Sequence, residues 1–129
     1  MKNRSFDLIV YGATSFVGQI LTRYLFEHIG VGGKVNWAIA GRSEKKLAVL
    51  KSSLGSNADS LSVIGADASD EVALTTMCQS ARVIASTVGP YALYGEPLVK
   101  ACAENGTDYC DLCGEAYWIK AMILKYSDA

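Results

Sequence analysis

The chain has 129 residues, the length of one ordinary domain, and half of them are apolar, which excludes a disordered chain. Twelve Lys and Arg residues against thirteen Asp and Glu residues give a net charge of −1, so no basic excess favours a nucleic-acid partner. No apolar run approaches the ~20 residues that a membrane-spanning helix needs. We therefore expect a cytoplasmic protein with one domain over residues 1–129 and with reduced cysteines.

Five short apolar runs alternate with segments of helical periodicity. The runs predict strands over residues 7–11, 35–40, 61–65, 82–87 and 108–112. The first, second and fourth runs are nearly continuous in apolar residues, which is typical of parallel strands buried on both faces. Strand alternating with helix predicts an α/β fold, a Rossmann-type doubly wound parallel sheet in the order 3-2-1-4-5 with helices on both faces.

The segments between the runs carry helix signals. The first helix is predicted over residues 16–30, with one apolar face made of Val17, Ile20, Leu21, Tyr24 and Leu25. Hydroxyl side chains are placed to cap the second and third helices, at Ser43 and Ser69.

Two further helices are predicted near the end of the sequence. The fourth has Pro97 in its first turn and ends near Gly106. The fifth covers residues 115–126, and no strand follows to cover its apolar face. We therefore expect this chain to be the N-terminal part of a longer protein whose catalytic domain is absent.

The strongest functional signal is the segment after the first strand, Gly12-Ala13-Thr14-Ser15-Phe16-Val17-Gly18. Its first glycine allows a sharp turn out of the strand, and its last glycine lets the helix pack closely on the sheet. The N–H groups at the helix N-terminus then attract a pyrophosphate, as in dinucleotide sites. Ser15 stands where a middle glycine is usual, and its hydroxyl either donates to a phosphate or caps the helix. The alternative interpretation is that these glycines only form a strand-to-helix turn and bind no ligand.

The end of the second strand indicates which dinucleotide binds. An NAD site commonly has a carboxylate there, but this sequence has Arg42 and Ser43. A guanidinium can donate two parallel hydrogen bonds to a phosphate, and Lys46 adds a cation in the following helical turn. We therefore predict NADP rather than NAD, although the lysine also suits a solvated surface.

The other strand ends supply further candidates. Asp67, followed by Ala68, is placed either to accept from the adenine amino group or to cap the next helix. The loop of Val88, Gly89 and Pro90 is expected beside the nicotinamide-side ribose. Near the nicotinamide, the candidate acids are Asp111 and Glu115, the latter also explained as a helix-start acid.

The cysteines predict neither a metal site nor a redox centre. Cys110 and Cys113 form a C-x-x-C pair, but zinc needs two more ligands, and Cys78 and Cys102 are isolated in the sequence. We expect the pair to be small core residues. The single histidine, His28, lies far from the strand ends, so we assign no catalytic residue.

Four motifs, and the order in which they occur along the chain, resemble those of one known family. They are the loop at residues 12–18, Ala40-Gly41-Arg42-Ser43, Val88-Gly89-Pro90-Tyr91, and Tyr109-Cys110-Asp111-Leu112-Cys113-Gly114-Glu115. The resemblance is to the N-terminal domain of the saccharopine dehydrogenase-like oxidoreductases, which include trans-acting enoyl reductases. It implies a Rossmann NADP-binding domain, a separate catalytic domain, and hydride transfer to or from a small-molecule or lipid substrate. It also implies cofactor contacts at Gly12, Thr14, Ser15, Phe16, Val17, Arg42, Ser43, Asp67, Val88 and Gly89.

Two other functions remain open from the sequence. One is a non-enzymatic module that senses NADP with the same fold. The other is a fragment of a short-chain dehydrogenase, although no tyrosine here is followed by a lysine four residues later, as that class requires. A homodimer is also left open.

Overall fold

Five parallel strands form the centre of the computed structural model, which describes residues 4–128. They are β1 (Phe6–Tyr11), β2 (Trp37–Gly41), β3 (Ser62–Gly65), β4 (Ala81–Ser86) and β5 (Asp108–Asp111). Their order is β3-β2-β1-β4-β5, and each neighbouring pair is parallel. The predicted fold class and strand order are therefore confirmed.

Helices follow the strands and cover both faces of the sheet. They are α1 (Phe16–Ile29), α2 (Glu44–Ser53), α3 (Glu71–Gln79), α4 (Tyr91–Tyr94), α5 (Glu96–Asn105) and α6 (Ala116–Tyr126), with a 3₁₀ turn at Ser56–Ala58. The short α4 was not predicted, because four residues give no helical period to recognise.

Two apolar clusters hold the layers together, one on each face of the sheet. Alternate residues of β1 point to opposite faces, so Ile9 joins the cluster under α3 and α5 while Val10 joins the cluster under α2. β2 is buried along its whole length. Burial on both faces fixes the backbone at the carboxyl ends of the central strands, where a ligand would bind.

The predicted apolar face of α1 is wrong in part. Leu21 and Leu25 pack against the sheet, but Val17, Ile20 and Tyr24 are exposed. The helix instead buries Gly18 and Thr22. These small residues lie on the side of the helix that packs closest to the sheet, and Val17, Ile20 and Tyr24 lie on the neighbouring side and are left exposed.

One predicted helix cap is correct and one is wrong. Ser43 caps α2, because its hydroxyl accepts from the Lys46 amide at 3.2 Å. The cap of α3 is Asp70 rather than Ser69, since the Asp70 carboxylate accepts from the Ala73 amide at 3.1 Å. Both residue types favour caps, but the Ser69 hydroxyl instead donates to Asp67 Oδ1 at 2.9 Å.

The cysteines also differ from the sequence prediction. Cys110 is exposed and Cys113 is half-buried, so neither is an ordinary core residue. β5 is an edge strand, and its alternation sends Tyr109 to the core and Cys110 to the opposite face. Cys78 and Cys102 are not isolated in space, because their buried sulfur atoms lie 3.5 Å apart between α3 and α5.

Within residues 4–128, no helix is long and apolar enough to cross a membrane. Over the same residues, no group of three or more His, Cys, Asp or Glu side chains is arranged to hold a metal ion.

Candidate functional site

A groove of about 720 Å³ crosses the carboxyl ends of β1 to β4, the edge at which parallel α/β sheets bind ligands. This volume lies within the range of small-molecule and cofactor sites. The groove brings together residues from four separate loops. The predicted residues that line it are Gly12, Thr14, Ser15, Arg42, Ser43, Lys46, Asp67, Ala68, Val88 and Gly89.

The other predicted residues lie around the groove without lining it. Ala13 and Gly18 are buried behind the first loop, and the side chains of Phe16 and Val17 point to solvent from the start of α1. Their amides still belong to the first turn of α1, where no helical acceptor exists. Pro90 follows Gly89 through a cis bond and is exposed.

The turn after β1 leaves no room for side chains at its two glycines. Gly12 has φ = +81°, and a Cβ there would lie 2.5 Å from Val88 Cγ2. A Cβ at Gly18 would lie 2.1 Å from the Gly12 carbonyl oxygen. The backbone therefore comes directly against both α1 and the residues that follow β4, and the N-cap of α1, Ser15, lines the groove. This cradle fits a pyrophosphate.

Ser15 is the cap of α1, which is one of the two roles expected for its hydroxyl. Its oxygen accepts from the Gly18 amide at 3.0 Å. It also lies 3.1 Å from the hydroxyl oxygen of Thr87. Thr87 in turn donates to the Gly12 carbonyl at 2.8 Å, and since a hydroxyl has one proton, Ser15 is the donor to Thr87.

Thr87 is a groove residue that the sequence analysis missed. It follows β4 and fastens that strand to the turn after β1. Its position at the carboxyl end of a central strand was the available signal. The other groove residues that were missed are Tyr11, Gly41, Ser69, Leu93, Tyr94 and Pro97.

The loops after β2 and β3 form the charged end of the groove. Arg42, Ser43 and Lys46 line it from the loop after β2 and the start of α2, and Asp67 lines it from the loop after β3. The Ser69 amide and hydroxyl both donate to Asp67 Oδ1 at 2.9 Å, and these bonds hold the pKa of Asp67 below its ordinary value. The charge of Arg42 lowers this pKa further.

Tyr11 forms the floor between these loops. Its hydroxyl donates to the Ala66 carbonyl at 2.9 Å and is buried. Burial, reinforced by the negative charge of Asp67, raises the pKa of Tyr11 to about 12, while the charge of Arg42 opposes the rise. Tyr11 is therefore a neutral donor that fixes the β3 loop to β1.

The end of β5 and the loop after it carry the two acids expected near a nicotinamide, and neither lines the groove. Asp111 accepts from the Tyr109 hydroxyl and from the Cys113 amide, the latter at 2.9 Å. Glu115 precedes α6 but makes no cap bond to it. Its carboxylate accepts instead from the Tyr91 and Ala92 amides at the start of α4.

Comparison with known proteins agrees with this geometry. The family model described as the saccharopine dehydrogenase NADP binding domain matches residues 8–129. A trans-acting enoyl reductase of Mycobacterium tuberculosis is 44% identical over 123 residues, and a lipid droplet localized protein of Caenorhabditis elegans is 42% identical over 126 residues. Each match covers 95% of this chain and 29% of the relative.

A solved structure shows the same fold at low sequence identity. Apo saccharopine dehydrogenase (L-Glu forming) from Saccharomyces cerevisiae superposes with a TM-score of 0.67 at 17% identity, covering 94% of this chain and 25% of that one. The comparisons confirm the family resemblance found in the sequence motifs, and the matched model confirms NADP as the cofactor of this kind of domain.

Proposed function

The chain belongs to the saccharopine dehydrogenase NADP-binding domain family, and from this premise we propose that it is the cofactor-binding domain of an oxidoreductase. The reaction is hydride transfer between NADP(H) and a small-molecule or lipid substrate. The observation that carries the proposal is that the α1 N-cap and Arg42 line the same groove. The first offers amides to a pyrophosphate, and the second offers a guanidinium to a further phosphate.

The loop at residues 12–18 would hold the pyrophosphate. Thr14 and Ser15 line the groove, and the first-turn amides of Phe16 and Val17 have no helical acceptor to compete for them. Gly12, Ala13 and Gly18 contribute backbone shape, because their close packing brings this turn against β4. Positive charge from the helix dipole adds to the attraction.

The loops after β2 and β3 would hold the adenosine half. Arg42 would grip the 2′-phosphate, with Ser43 and Lys46 beside it in the same loop and helical turn. Asp67 keeps Oδ2 for the adenine amino group, since Ser69 uses Oδ1. Ala68 adds a small side chain next to it.

The loop after β4 would hold the nicotinamide half. NADPH, when bound, supplies the hydride from its nicotinamide ring. Val88 and Gly89 line the groove, and Pro90 follows them in the same loop. Asp111 stays a candidate for cofactor binding at this end, because β5 ends beside β4. Its carboxylate accepts hydrogen bonds from the Tyr109 hydroxyl and the Cys113 amide, which fix its position.

We further propose that substrate binding and the proton donor reside in a second domain of a longer parent protein. The chain spans under a third of the length of the curated relatives that it matches. The family match supports this oxidoreductase over a short-chain dehydrogenase. A cytoplasmic location and a homodimer stay predictions, and the name of the nematode relative adds a lipid-droplet surface to the locations to examine.

Calorimetric titration of the 129-residue chain with NADPH and NADH tests the cofactor half of the proposal. We expect micromolar binding of NADPH and weaker binding of NADH. Equal affinity for both, or no binding of either, would contradict it. For the oxidoreductase half, the parent protein must oxidise NADPH when given carbonyl, imine or enoyl acceptors, whereas tight binding with no turnover on any of them would favour a sensing module.

A further inference from the structure

The wall of the groove after β4 rests on a helix that has no cap of its own. The single turn α4 carries Leu93 and Tyr94, which line the groove next to Val88 and Gly89. Its N-cap position is Pro90, whose side chain cannot accept a hydrogen bond. The first amides of such a turn have no helical acceptor and need a partner from elsewhere.

Glu115 supplies that partner from the loop between β5 and α6. One carboxylate oxygen accepts from the Tyr91 amide at 2.7 Å, and the other accepts from the Ala92 amide at 3.1 Å. The two contacts span 24 and 23 residues of sequence. Hydrogen bonds to an ionised acceptor are stronger than neutral ones, so this carboxylate fixes α4 more firmly than a local hydroxyl cap would.

Packing around Tyr91 strengthens the same connection. The buried Tyr91 hydroxyl donates to the Ser86 carbonyl and accepts from the Leu112 amide, each at 3.3 Å. Its ring lies 5.6 Å from the Trp118 ring of α6. Trp118 also lies under Gly95, where a Cβ would meet Trp118 Cζ2 at 2.6 Å. The loop after β4 is therefore held from behind by residues of the following loop and of α6.

We propose that Glu115 is a positioning residue that fixes the nicotinamide-side wall of the groove through α4. This inference rests on the proposed function, because it assigns the β4 end of the groove to the nicotinamide half of NADP(H). Glu115 does not line the groove, so it acts through the Tyr91 and Ala92 amides rather than by touching the cofactor. The adenosine half contacts loops after β2 and β3, which Glu115 does not reach.

Two ligands separate this role from a general contribution to folding. NADPH would use both ends of the groove. Adenosine 2′,5′-bisphosphate carries the 2′-phosphate and one 5′-phosphate but lacks the nicotinamide, so it would use the Arg42 end and part of the pyrophosphate turn, but not the wall after β4. A variant that merely loosens the fold weakens both ligands alike, whereas displacement of α4 weakens NADPH selectively.

The test is calorimetry of the 129-residue chain and its Glu115→Gln and Glu115→Ala variants with both ligands. Glutamine keeps one acceptor oxygen, so we expect Glu115→Gln to weaken NADPH about tenfold and Glu115→Ala to weaken it further. Binding of adenosine 2′,5′-bisphosphate stays within about twofold in both variants. Should Glu115→Ala fail to fold, the loss of NADPH affinity relative to the loss of adenosine 2′,5′-bisphosphate affinity in Glu115→Gln decides alone.

Glu96→Gln is the matched control. The Glu96 carboxylate accepts from Lys125 and Tyr126 and so joins α5 to α6, yet it does not contact the α4 amides. We expect this variant to bind both ligands as the unchanged chain does. Equal weakening of both ligands by Glu115→Gln, or unchanged NADPH binding, overturns the positioning role. Failure of the unchanged chain to bind adenosine 2′,5′-bisphosphate contradicts the proposed function instead.

Discussion

The hydroxyl oxygens of Ser15 and Thr87 lie 3.1 Å apart, although 72 residues separate them in the sequence. Ser15 caps α1, and Thr87 donates to the carbonyl of Gly12. The pair therefore joins the pyrophosphate turn to the end of β4. The shape of the turn therefore depends on its hydrogen bonds to Thr87 at the end of β4 as well as on its own sequence.

Thr87→Val should destabilise the protein by about 1–3 kcal/mol, because valine has the same shape but leaves the Gly12 carbonyl and the Ser15 hydroxyl without this partner. Urea unfolding measures the loss. Thr76→Val is the control, since the Thr76 hydroxyl donates to a carbonyl on the exposed surface of α3. Equal losses in the two variants would show that the link between the turn and β4 is unimportant.

Gly18→Ala should cost roughly 1–3 kcal/mol or more of stability, because the new Cβ would lie 2.1 Å from the Gly12 carbonyl oxygen. Backbone atoms surround the site, so no side chain can move aside. We expect NADPH and NADH binding to weaken together, measured by calorimetry. Gly114→Ala is the control, because no atom lies within 4 Å of a Cβ placed there. A stable Gly18→Ala variant would contradict the close contact.

The stability advantage of the unchanged chain over Tyr11→Phe should shrink between pH 10 and pH 12. Burial raises the pKa of Tyr11 to about 12, above its unfolded value of 10.0. The stabilisation is therefore fully present below pH 10 and is lost as pH rises through 12, by roughly 2–3 kcal/mol. Paired urea unfolding at each pH measures it. A difference that stays constant with pH would mean that Tyr11 ionises freely in the folded protein.

Alkylation of the native chain should modify Cys110 first and Cys113 more slowly. Cys78 and Cys102 are buried and should react only after unfolding. Partial desolvation, with the negative charge of Asp111, raises the pKa of the exposed Cys110 thiol, so its labelling should be slower than that of a free cysteine. Mass spectrometry of timed samples gives the order. Early labelling of Cys78 would contradict the packing of α3 against α5.

The fold could be predicted because its signals are local and repeated. Apolar runs alternate with helical segments, and right-handed crossovers leave few arrangements of the strands. The buried face of α1 could not be predicted from apolar periodicity. The residues packed closest to the sheet are the small Gly18 and Thr22, whereas the larger Val17 and Ile20 are exposed. Cys110 was misjudged because edge position depends on strand order, which hydropathy does not show.

The groove was predicted at its local motifs and missed where distant segments meet. Arg42 and Ser15 belong to recognisable strand-end sequences, and both line the groove. The contacts of Thr87 and Glu115 join residues far apart in the chain, and no spacing pattern records them. Glu115 was noted as a helix-start acid, but the helix that it caps is α4 rather than the one that it precedes.

The central claim is that Arg42 binds the phosphate that distinguishes NADPH from NADH. Calorimetric titration of the unchanged chain and of Arg42→Ala with both cofactors tests it most directly. We predict that Arg42→Ala weakens NADPH by about 10- to 100-fold, the size of a charge-assisted contact, and leaves NADH within about twofold. An equal loss for both cofactors, or an undiminished preference for NADPH, would contradict the account.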